Sequence, residues 1–493
     1  GSPSMTLSFG PFTKFFMHPL FHSPQNRKAY LLKGTFLLGA AGILCKIAGF
    51  FYKIFLSRTI GAEALGIYQL IGPVFSLCFA LTASSIQTSI SKFVGDAIGG
   101  CKDSLCGEKK ARAYLILGLV LSCGLSILTG IFMYFNAELI AVRFLGEARC
   151  APLLVLLTYS LLPCCIHACI NGYYYGKKNA FVPSLCQLIE QIARVGSVWI
   201  IFQITTEKGI PLTAFHAVCG LVIGEAAGLL VSMSALLREK RLPQGTQARV
   251  YEDNSTPSGH ESLRENLPNH RHRNSLLVYN RTMTHAFLAM VIPLTINRLS
   301  VAFSTSLENL LIPQKLQLYG YSQADALSIY GILSGMTLSI ILFPCVLTNS
   351  LSVLLLPAIS EARGRSNENQ IRRTTQKAIR LGLLLGFAFT ILFLFTGDMI
   401  GNKLFHNTLA GHFICRLAWL CPLMYITSLL NSILHGLGRP KQVLFVNLLA
   451  CLIRIGMIWF LVPAYGIGAY LWGLLLSQVF ASVACMWLLR EYI

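Results

Sequence analysis

Eight ionisable side chains lie inside long apolar stretches of the sequence, and charged groups in such positions are typical of transport sites. They are five cations, Lys46, Lys53, Arg194, Arg298 and Arg454, and three anions, Glu190, Glu225 and Glu308. An ionised side chain at the centre of a bilayer costs on the order of 3 kcal/mol on insertion scales, so each one needs a partner or a water-filled cavity. Because cations exceed anions, the pattern favours a site for an anionic group.

The first apolar stretch carries a cationic face. Its residues are spaced by four, three and four positions and so share one side of a helix: Gly42, Lys46, Gly49 and Lys53. We predict that Lys46 faces a cavity because it lies near the middle of the stretch, whereas Lys53 lies nearer one end and could equally reach the interface. Arg298, about halfway along the seventh stretch, is the strongest single indication of a functional site.

The remaining charges are second-line candidates. Glu190 and Arg194 lie one helical turn apart, and the sequence leaves open whether they form a structural ion pair or bind a ligand. Arg454 has no carboxylate on its own stretch, so its partner is either another helix or a substrate. Glu308 lies on the same stretch as Arg298. Glu225 lies among glycines that bring helices together, which favours a pair within the bundle.

No cofactor site is predicted. On a helix the neighbouring Cys164, Cys165, His167 and Cys169 point in different directions, so we interpret them as packing residues instead of metal ligands. The sequence has no glycine-rich phosphate loop and no GxSxG motif, so neither ATP nor hydrolytic catalysis is indicated. We expect a transporter and not an enzyme, driven by a coupling ion or by the membrane potential, between which the sequence does not choose.

The elements that hold these charges are membrane-spanning helices. Of the 493 residues, 54% are hydrophobic and 12% charged, and the mean hydropathy is +0.61, which leaves too little polar surface to cover a soluble protein. A bilayer crossing takes about 20 residues. Twelve stretches of this length are predicted near 35–57, 65–94, 112–135, 150–174, 180–203, 212–237, 282–311, 326–358, 377–397, 412–436, 442–462 and 467–489.

The loop charges predict an orientation. Of the forty Lys and Arg residues, 28 fall in the two termini and alternate loops, and only seven fall in the remaining loops. By the positive-inside rule, both termini are cytoplasmic. Because this charge is spread over seven segments and forms no single patch, a nucleic-acid partner is not indicated.

Internal repeats predict two similar halves. Arg194-Val-Gly-Ser-Val-Trp199 is similar to Arg454-Ile-Gly-Met-Ile-Trp459, and Leu236-Leu-Arg-Glu239 is identical to Leu488-Leu-Arg-Glu491. Six spans per half make the repeats parallel, which places a cavity between two bundles. The predicted fold is therefore all-α, with two six-helix bundles. Its parts are a cloning scar (1–4), a cytoplasmic lead-in (5–33), an N-terminal lobe (34–237), a cytoplasmic linker (238–281) and a C-terminal lobe (282–493).

Several motifs in order resemble the stage V sporulation protein B family of the multidrug/oligosaccharidyl-lipid/polysaccharide exporter superfamily, which is related to the lipid II flippases. The similar segments are Lys33-Gly-Thr35, Ala48-Gly-Phe-Phe-Tyr52, Ile60-Gly-Ala-Glu63, Gly66-Ile-Tyr68, 171–179 (NGYYYGKKN), 187–194, Asn297-Arg298, Glu308, Tyr330-Gly331 and Leu356-Pro-Ala-Ile-Ser-Glu361. The resemblance implies a fold like that of multidrug exporters of this superfamily.

The resemblance also implies a flippase that moves undecaprenyl-pyrophosphate-linked peptidoglycan precursor across the bacterial cytoplasmic membrane, in this branch for the spore cortex. In such proteins cationic residues engage the diphosphate, and Lys46 and Arg298 lie where the match is best. The expected partners are this lipid-linked substrate and membrane lipids, with the protein a monomer. Two alternatives stay open, a cation-coupled exporter of amphipathic drugs and a membrane transferase acting on lipid-linked sugars.

Overall fold

The computed structural model describes residues 27–100, 104–241, 272–345 and 367–492, with scattered positions between 347 and 363. The predicted scar, most of the lead-in 5–33 and most of the linker 238–281 lie outside the described residues. Within them the structure is helical, without strands. This architecture agrees with the need of a lipid-embedded backbone to satisfy its hydrogen bonds internally.

The described residues form twelve longer helical units, three of them interrupted by a π-helical turn, and short helical turns between Ala137 and Cys150. The first six are α1 (Arg27–Thr59), α2 (Gly61–Phe79, π turn Ala80–Ser84, Ser85–Gly100), α3 (Ser104–Phe135), α4 (Ala151–Gly176), α5 (Phe181–Glu207) and α6 (Ala214–Arg241). The second six are α7 (His272–Tyr319), α8 (Gln323–Tyr330, π turn Gly331–Thr337, Leu338–Leu342), α9 (Glu368–Leu404), α10 (Thr408–Leu417 and Leu420–Gly436), α11 (Pro440–Gly456, π turn Met457–Leu461, Val462–Tyr465) and α12 (Ile467–Leu488).

The class of an all-α polytopic membrane protein is confirmed. Within the described residues, ten of these units are long and apolar enough to cross a membrane, or eleven when α10, which is bent by 55°, counts as one span. The helix Arg27–Thr59 is not among these candidates; counted with the eleven, it gives twelve membrane spans. Most helices extend several residues beyond the predicted stretches, because hydropathy marks only the part of a helix that lies in hydrocarbon.

Each half packs mainly within itself, and the halves meet along two seams. In the first half α6 packs on α4 and α5, and α1 packs on α5; in the second half α10 packs on α9 and α12, and α11 packs on α12. One seam joins α2 to α7. The other joins α1 and α2 to α8. Substrate that passes between the halves must therefore open one of these seams or a space enclosed by them.

One end of the molecule, which we call the Gly61 end, is closed by contacts between the halves. Arg58 donates from Nε to the carbonyl oxygen of Leu404 at 2.6 Å and from Nη2 to that of Lys403 at 2.6 Å. Gln323 donates from Nε2 to Glu147 Oε2 at 2.9 Å. Burial alone would raise the pKa of the Glu147 carboxyl, but hydrogen bonds from Arg149 and Gln323 outweigh it and hold the pKa below its usual range. The carboxylate is thus ionised at neutral pH and available to this contact.

Two glycines allow the halves to approach backbone to backbone at the Gly61 end. A Cβ atom added to Gly66 of α2 would lie 2.1 Å from the carbonyl oxygen of Leu327 in α8, and one added to Gly331 would lie 2.2 Å from that of Ala62. No side chain fits at such distances, so the closed arrangement requires glycine at both positions.

The opposite end, which we call the Lys177 end, is held largely by contacts within one half. Lys177 Nζ lies 2.5 Å from Glu239 Oε1 and 3.1 Å from Glu108 Oε1, joining α3, α4 and α6. Among the described residues, the contact between halves at this end is aromatic: the ring of Phe287 in α7 lies 5.7 Å from that of Phe93 and 6.2 Å from that of Tyr114. These rings join α7 to α2 and α3 at the Lys177 end.

Candidate functional site

A buried charge network occupies the core of the first half. Arg194 Nη2 on α5 lies 2.6 Å from Glu190 Oε1, as their spacing predicts, and 3.4 Å from Glu225 Oε1 on α6. The second oxygen of Glu225 lies 2.8 Å from His167 Nε2 on α4. A Cβ added to Gly224 would lie 3.1 Å from the Arg194 side chain, so this glycine makes room for the guanidinium. The network ties three helices together and places one arginine and one histidine against two carboxylates.

The interpretation of Cys164 and His167 as unrelated packing residues was wrong. Residues three apart on a helix share a face, and both side chains converge on Glu225, with the three ligand atoms within 4.8 Å of one another. They could hold a metal ion, although both Glu225 oxygens already accept contacts from His167 and Arg194. Cys165 instead donates to Thr82 Oγ1 at 3.1 Å and so belongs to the packing between α2 and α4.

The second half contains a comparable network built from different helices. Arg454 Nε on α11 donates to Glu308 Oε1 on α7 at 2.7 Å, and the Tyr470 hydroxyl of α12 donates to the same oxygen at 2.7 Å. Arg454 Nη1 lies 3.4 Å from Ser477 Oγ. The partner of Arg454, which the sequence left open, is therefore another helix, and Glu308 Oε1 accepts from both Arg454 and Tyr470.

Arg298 joins the two halves at mid-height of the seam between α2 and α7. Its Nη1 donates to the carbonyl oxygen of Ser84 at 2.8 Å and to the Ser84 hydroxyl, and its Nη2 donates to Thr88 Oγ1 at 2.7 Å. Ser84 ends the π turn of α2. Because a π turn disturbs the regular ladder of backbone hydrogen bonds, it leaves this carbonyl available to a guanidinium. The Nε–H and one Nη2–H of Arg298 make no hydrogen bond to the described residues and can serve a ligand.

Lys46 and Lys53 differ from the other intramembrane charges. Within the described part of the chain neither makes a hydrogen bond or an ion pair. Lys46 is exposed and lies near the thiol of Cys345, just after α8, one turn from the point where the rings of Phe50 and Phe343 approach to 4.9 Å. Lys46 thus lies on the seam between α1 and α8, and Lys53 is half-buried one to two turns further on.

The structure does not bring Lys46 and Arg298 into contact but places them at equivalent points. Lys46 of α1 lies on the seam with α8, and Arg298 of α7 lies on the seam with α2. Their separation of 252 residues equals that between Leu236 and Leu488, which close the two halves. Arg194 and Arg454 are instead 260 residues apart, so the offset varies along the chain; Lys46 and Arg298 correspond in that each lies on the first helix of its half.

The comparisons with known proteins agree with this architecture. The model of the polysaccharide biosynthesis protein family matches residues 31–362, and the MatE model matches residues 316–460. The chain is similar to stage V sporulation protein B of Bacillus subtilis (strain 168), with 27% identity over 89% of this chain and 80% of the relative. It is also similar to the lipid II flippase MurJ of the same organism, with 20% identity over 83% of this chain and 73% of the relative.

Solved structures show the same fold. An inward-facing multidrug resistance MATE family transporter of the MOP superfamily has a TM-score of 0.67 at 15% identity, covering 91% of this chain and 94% of the other. The lipid II flippase MurJ in an inward closed conformation has a TM-score of 0.67 at 14% identity, covering 92% of this chain and 87% of the other. The expectation of a membrane transporter and not an enzyme is confirmed by these relatives. Since the family model spans well over half of its residues, the chain belongs to the polysaccharide biosynthesis protein family.

Proposed function

We propose that this protein is a flippase that moves a polyprenyl-diphosphate-linked, lipid II-like peptidoglycan precursor across the bacterial cytoplasmic membrane by alternating access. The similarity to the lipid II flippase MurJ and to stage V sporulation protein B supports the substrate class and assignment to the spore cortex. Residues 34–237 and 282–493 act as the two rocking lobes. The protein works as a monomer in contact with membrane lipids.

One observation carries the proposal: in the described part of the membrane interior every carboxylate is paired, while lysines stay unpaired. Glu190 and Glu225 contact Arg194, and Glu308 contacts Arg454. Lys46 and Lys53 have no such partner. The unmatched charge between the halves is therefore positive, which suits a substrate that brings its own negative charge, such as a lipid diphosphate.

The closure of the Gly61 end supports an alternating-access cycle. With both termini cytoplasmic, as the loop charges predict, this end faces outward, and the described state is the one that receives substrate from the cytoplasmic side. The polar headgroup enters between the halves while the lipid tail stays in the bilayer. Arg298 and Lys46 are the main residues that contact the diphosphate. Lys53 is a further contact. The two charge networks on either side of the space between the halves also contribute to substrate binding, through Glu190, Arg194, Glu308 and Arg454.

The exporter of amphipathic cations is the weaker candidate. Such a substrate needs an unpaired carboxylate between the halves, and each of the three intramembrane glutamates of the described region already contacts an arginine. Drug-efflux measurements in cells separate the two proposals, since a cation exporter would lower intracellular accumulation of lipophilic cations and a lipid flippase would not.

Reconstitution tests the proposed function. Purified protein in proteoliposomes should move labelled lipid II, or a shorter polyprenyl-diphosphate-linked sugar, between leaflets at a rate that depends on the amount of protein. Imposing a membrane potential or an ion gradient in the same vesicles then identifies the driving force. Translocation no faster than in protein-free vesicles, under every gradient, would show the substrate class to be wrong.

We expect Lys46→Gln and Arg298→Gln each to reduce this translocation about tenfold to a hundredfold. Each substitution removes a charge-assisted hydrogen bond to the diphosphate, which contributes roughly 1.5–3 kcal/mol. Lys92→Gln is the control, because Lys92 is an exposed lysine of α2 that lies over the ring of Phe93 and makes no ion pair within the described residues. If the double variant Lys46→Gln/Arg298→Gln transports at the rate of the Lys92 control, these residues are not the headgroup site.

A further inference from the structure

A cavity of about 250 Å³ opens inside the second half, beside the Arg454 network. It lies between α7, α10, α11 and α12 and is bordered by both apolar and polar side chains. A water molecule occupies about 30 Å³ in the liquid, so the cavity has the volume of roughly eight waters. This space accommodates one sugar ring and excludes a long saccharide or a folded peptide.

The polar lining consists of neutral donors and acceptors. Asn447 of α11 makes no hydrogen bond within the described residues, and Gln478 Oε1 of α12 is buried without a partner. The hydroxyls of Ser304 and Thr305 donate to backbone carbonyls of α7, at 2.9 Å from Ser304 to Ser300 and 3.0 Å from Thr305 to Ala302, so that their oxygens can still accept a hydrogen bond. A buried amide oxygen without a partner costs free energy, which a bound donor would recover.

The charge of the cavity limits the ligand class. The only ionised lining residue is Arg454, whose charge is already balanced by Glu308 at 2.7 Å, leaving Nη2 as a further donor. No lining residue is a carboxylate, which argues against a cationic ligand. A free phosphate would need an uncompensated cation, which argues against an anion as the main occupant. What remains is a neutral molecule rich in hydroxyl and amide groups.

The apolar part of the lining also fits a sugar ring. Val301, Leu448, Ala450 and Ala481 border the same space. A pyranose ring presents C–H groups on its faces and hydroxyl or acetamido groups at its edge, so it can pack on these side chains while its edge meets Asn447 and Gln478. A purely apolar ligand, such as a lipid tail, would leave the Gln478 oxygen unsatisfied.

We infer that this cavity is a subsite for one sugar ring of the headgroup, separate from the cations that contact the diphosphate. The inference rests on the proposed function for the identity of the headgroup, and it assigns recognition of the saccharide to the second half of the chain. Gln478 and Asn447 are the specificity-determining residues. Arg454 forms part of the wall of the subsite, and its Nη2 offers one further hydrogen-bond donor.

Direct binding of free sugars tests the subsite without any transport. Saturation-transfer NMR on the full chain in nanodiscs, with N-acetylglucosamine as probe and inorganic pyrophosphate as the second ligand, should show sugar binding in the wild type. We expect Gln478→Leu and Asn447→Leu each to weaken sugar binding about fivefold to thirtyfold, the loss of one or two hydrogen bonds, and to leave pyrophosphate binding unchanged. Gln442→Leu is the matched control, because Gln442 of α11 also has a buried unpartnered Oε1 but does not line the cavity.

Two results would overturn the subsite: no sugar signal in the wild type, or the same signal in all three variants. Proteoliposome transport separates its failure from that of the proposed function. If the wild type moves a lipid-linked sugar and Gln478→Leu moves it equally well, the subsite is wrong and the flippase stands. If the wild type moves no lipid-linked sugar, the flippase proposal fails, and the NMR result still decides whether the cavity binds a sugar.

Discussion

Replacing Glu308 by leucine should lower the free energy of unfolding by about 3–5 kcal/mol, the usual cost of removing one partner of a buried ion pair. The Arg454 guanidinium would remain in the helix bundle without a counter-charge, and the Tyr470 hydroxyl would lose its acceptor at 2.7 Å. Because Glu308, Arg454 and Tyr470 lie on three different helices, the substitution should destabilise the packing of α7, α11 and α12 together. Thermal unfolding of the purified protein in detergent measures this loss.

The double variant Glu308→Leu/Arg454→Met should recover most of the stability. Replacing a buried ion pair by apolar residues of similar volume is often neutral or stabilising, and the difference between single and double variants isolates the pair. Glu63→Gln provides the control: its ion pair with Arg149 is equally short, at 2.7 Å, but both side chains are substantially exposed. An exposed pair contributes about 0–1 kcal/mol. A loss in Glu308→Leu no greater than in Glu63→Gln would contradict a buried structural pair.

Much of the fold could be predicted from hydropathy, because a lipid-embedded helix must be apolar over about 20 residues. Nearly every predicted stretch falls within one helical unit to within two residues; the second part of 326–358 lies partly outside the described residues. The repeat of Arg194 and Arg454 likewise predicted equivalent positions on α5 and α11. It could not predict their partners. Arg194 finds Glu190 on its own helix, but Glu225 and Glu308 reach the two arginines from neighbouring helices, and which helices are neighbours depends on packing.

The contacts of Arg298 and His167 show a second limit. A sequence pattern assumes a regular helical period, but the π turn Ala80–Ser84 breaks that period and exposes the carbonyl oxygen that Arg298 contacts. The sequence pattern predicts that His167 is one of several packing residues on α4. It pairs with Glu225 of α6 at 2.8 Å, a contact 58 residues away in sequence. Long-range pairs of this kind have no local signal, so no spacing rule finds them.

The closure of the Gly61 end depends on two glycines, and we expect Gly66→Leu to cause the largest loss of transport among single substitutions outside the charged residues. A Cβ at this position would lie 2.1 Å from the Leu327 carbonyl oxygen, a backbone atom that cannot move away while the halves stay closed. Overpacking costs roughly 1–3 kcal/mol. Since Gly66 meets α8 only when this end is closed, the cost falls on the closed state and should reduce its population, and transport with it, about 5- to 150-fold.

Gly72→Leu is the matched control, because it adds the same side chain to the same helix where nothing lies within 4 Å of the added Cβ. Hydrogen exchange should then distinguish a shifted equilibrium from misfolding. In Gly66→Leu the loop 136–150 and the start of α8 should exchange faster, while the α4–α6 core keeps its protection. Gly331→Leu, which clashes with the Ala62 carbonyl from the other half, should reproduce both effects. A substitution that keeps the halves apart at the Gly61 end should destabilise only the closed state and leave the packing within each half intact. Wild-type transport in Gly66→Leu, or an equal loss in Gly72→Leu, would therefore mean that closing this end is not part of the cycle.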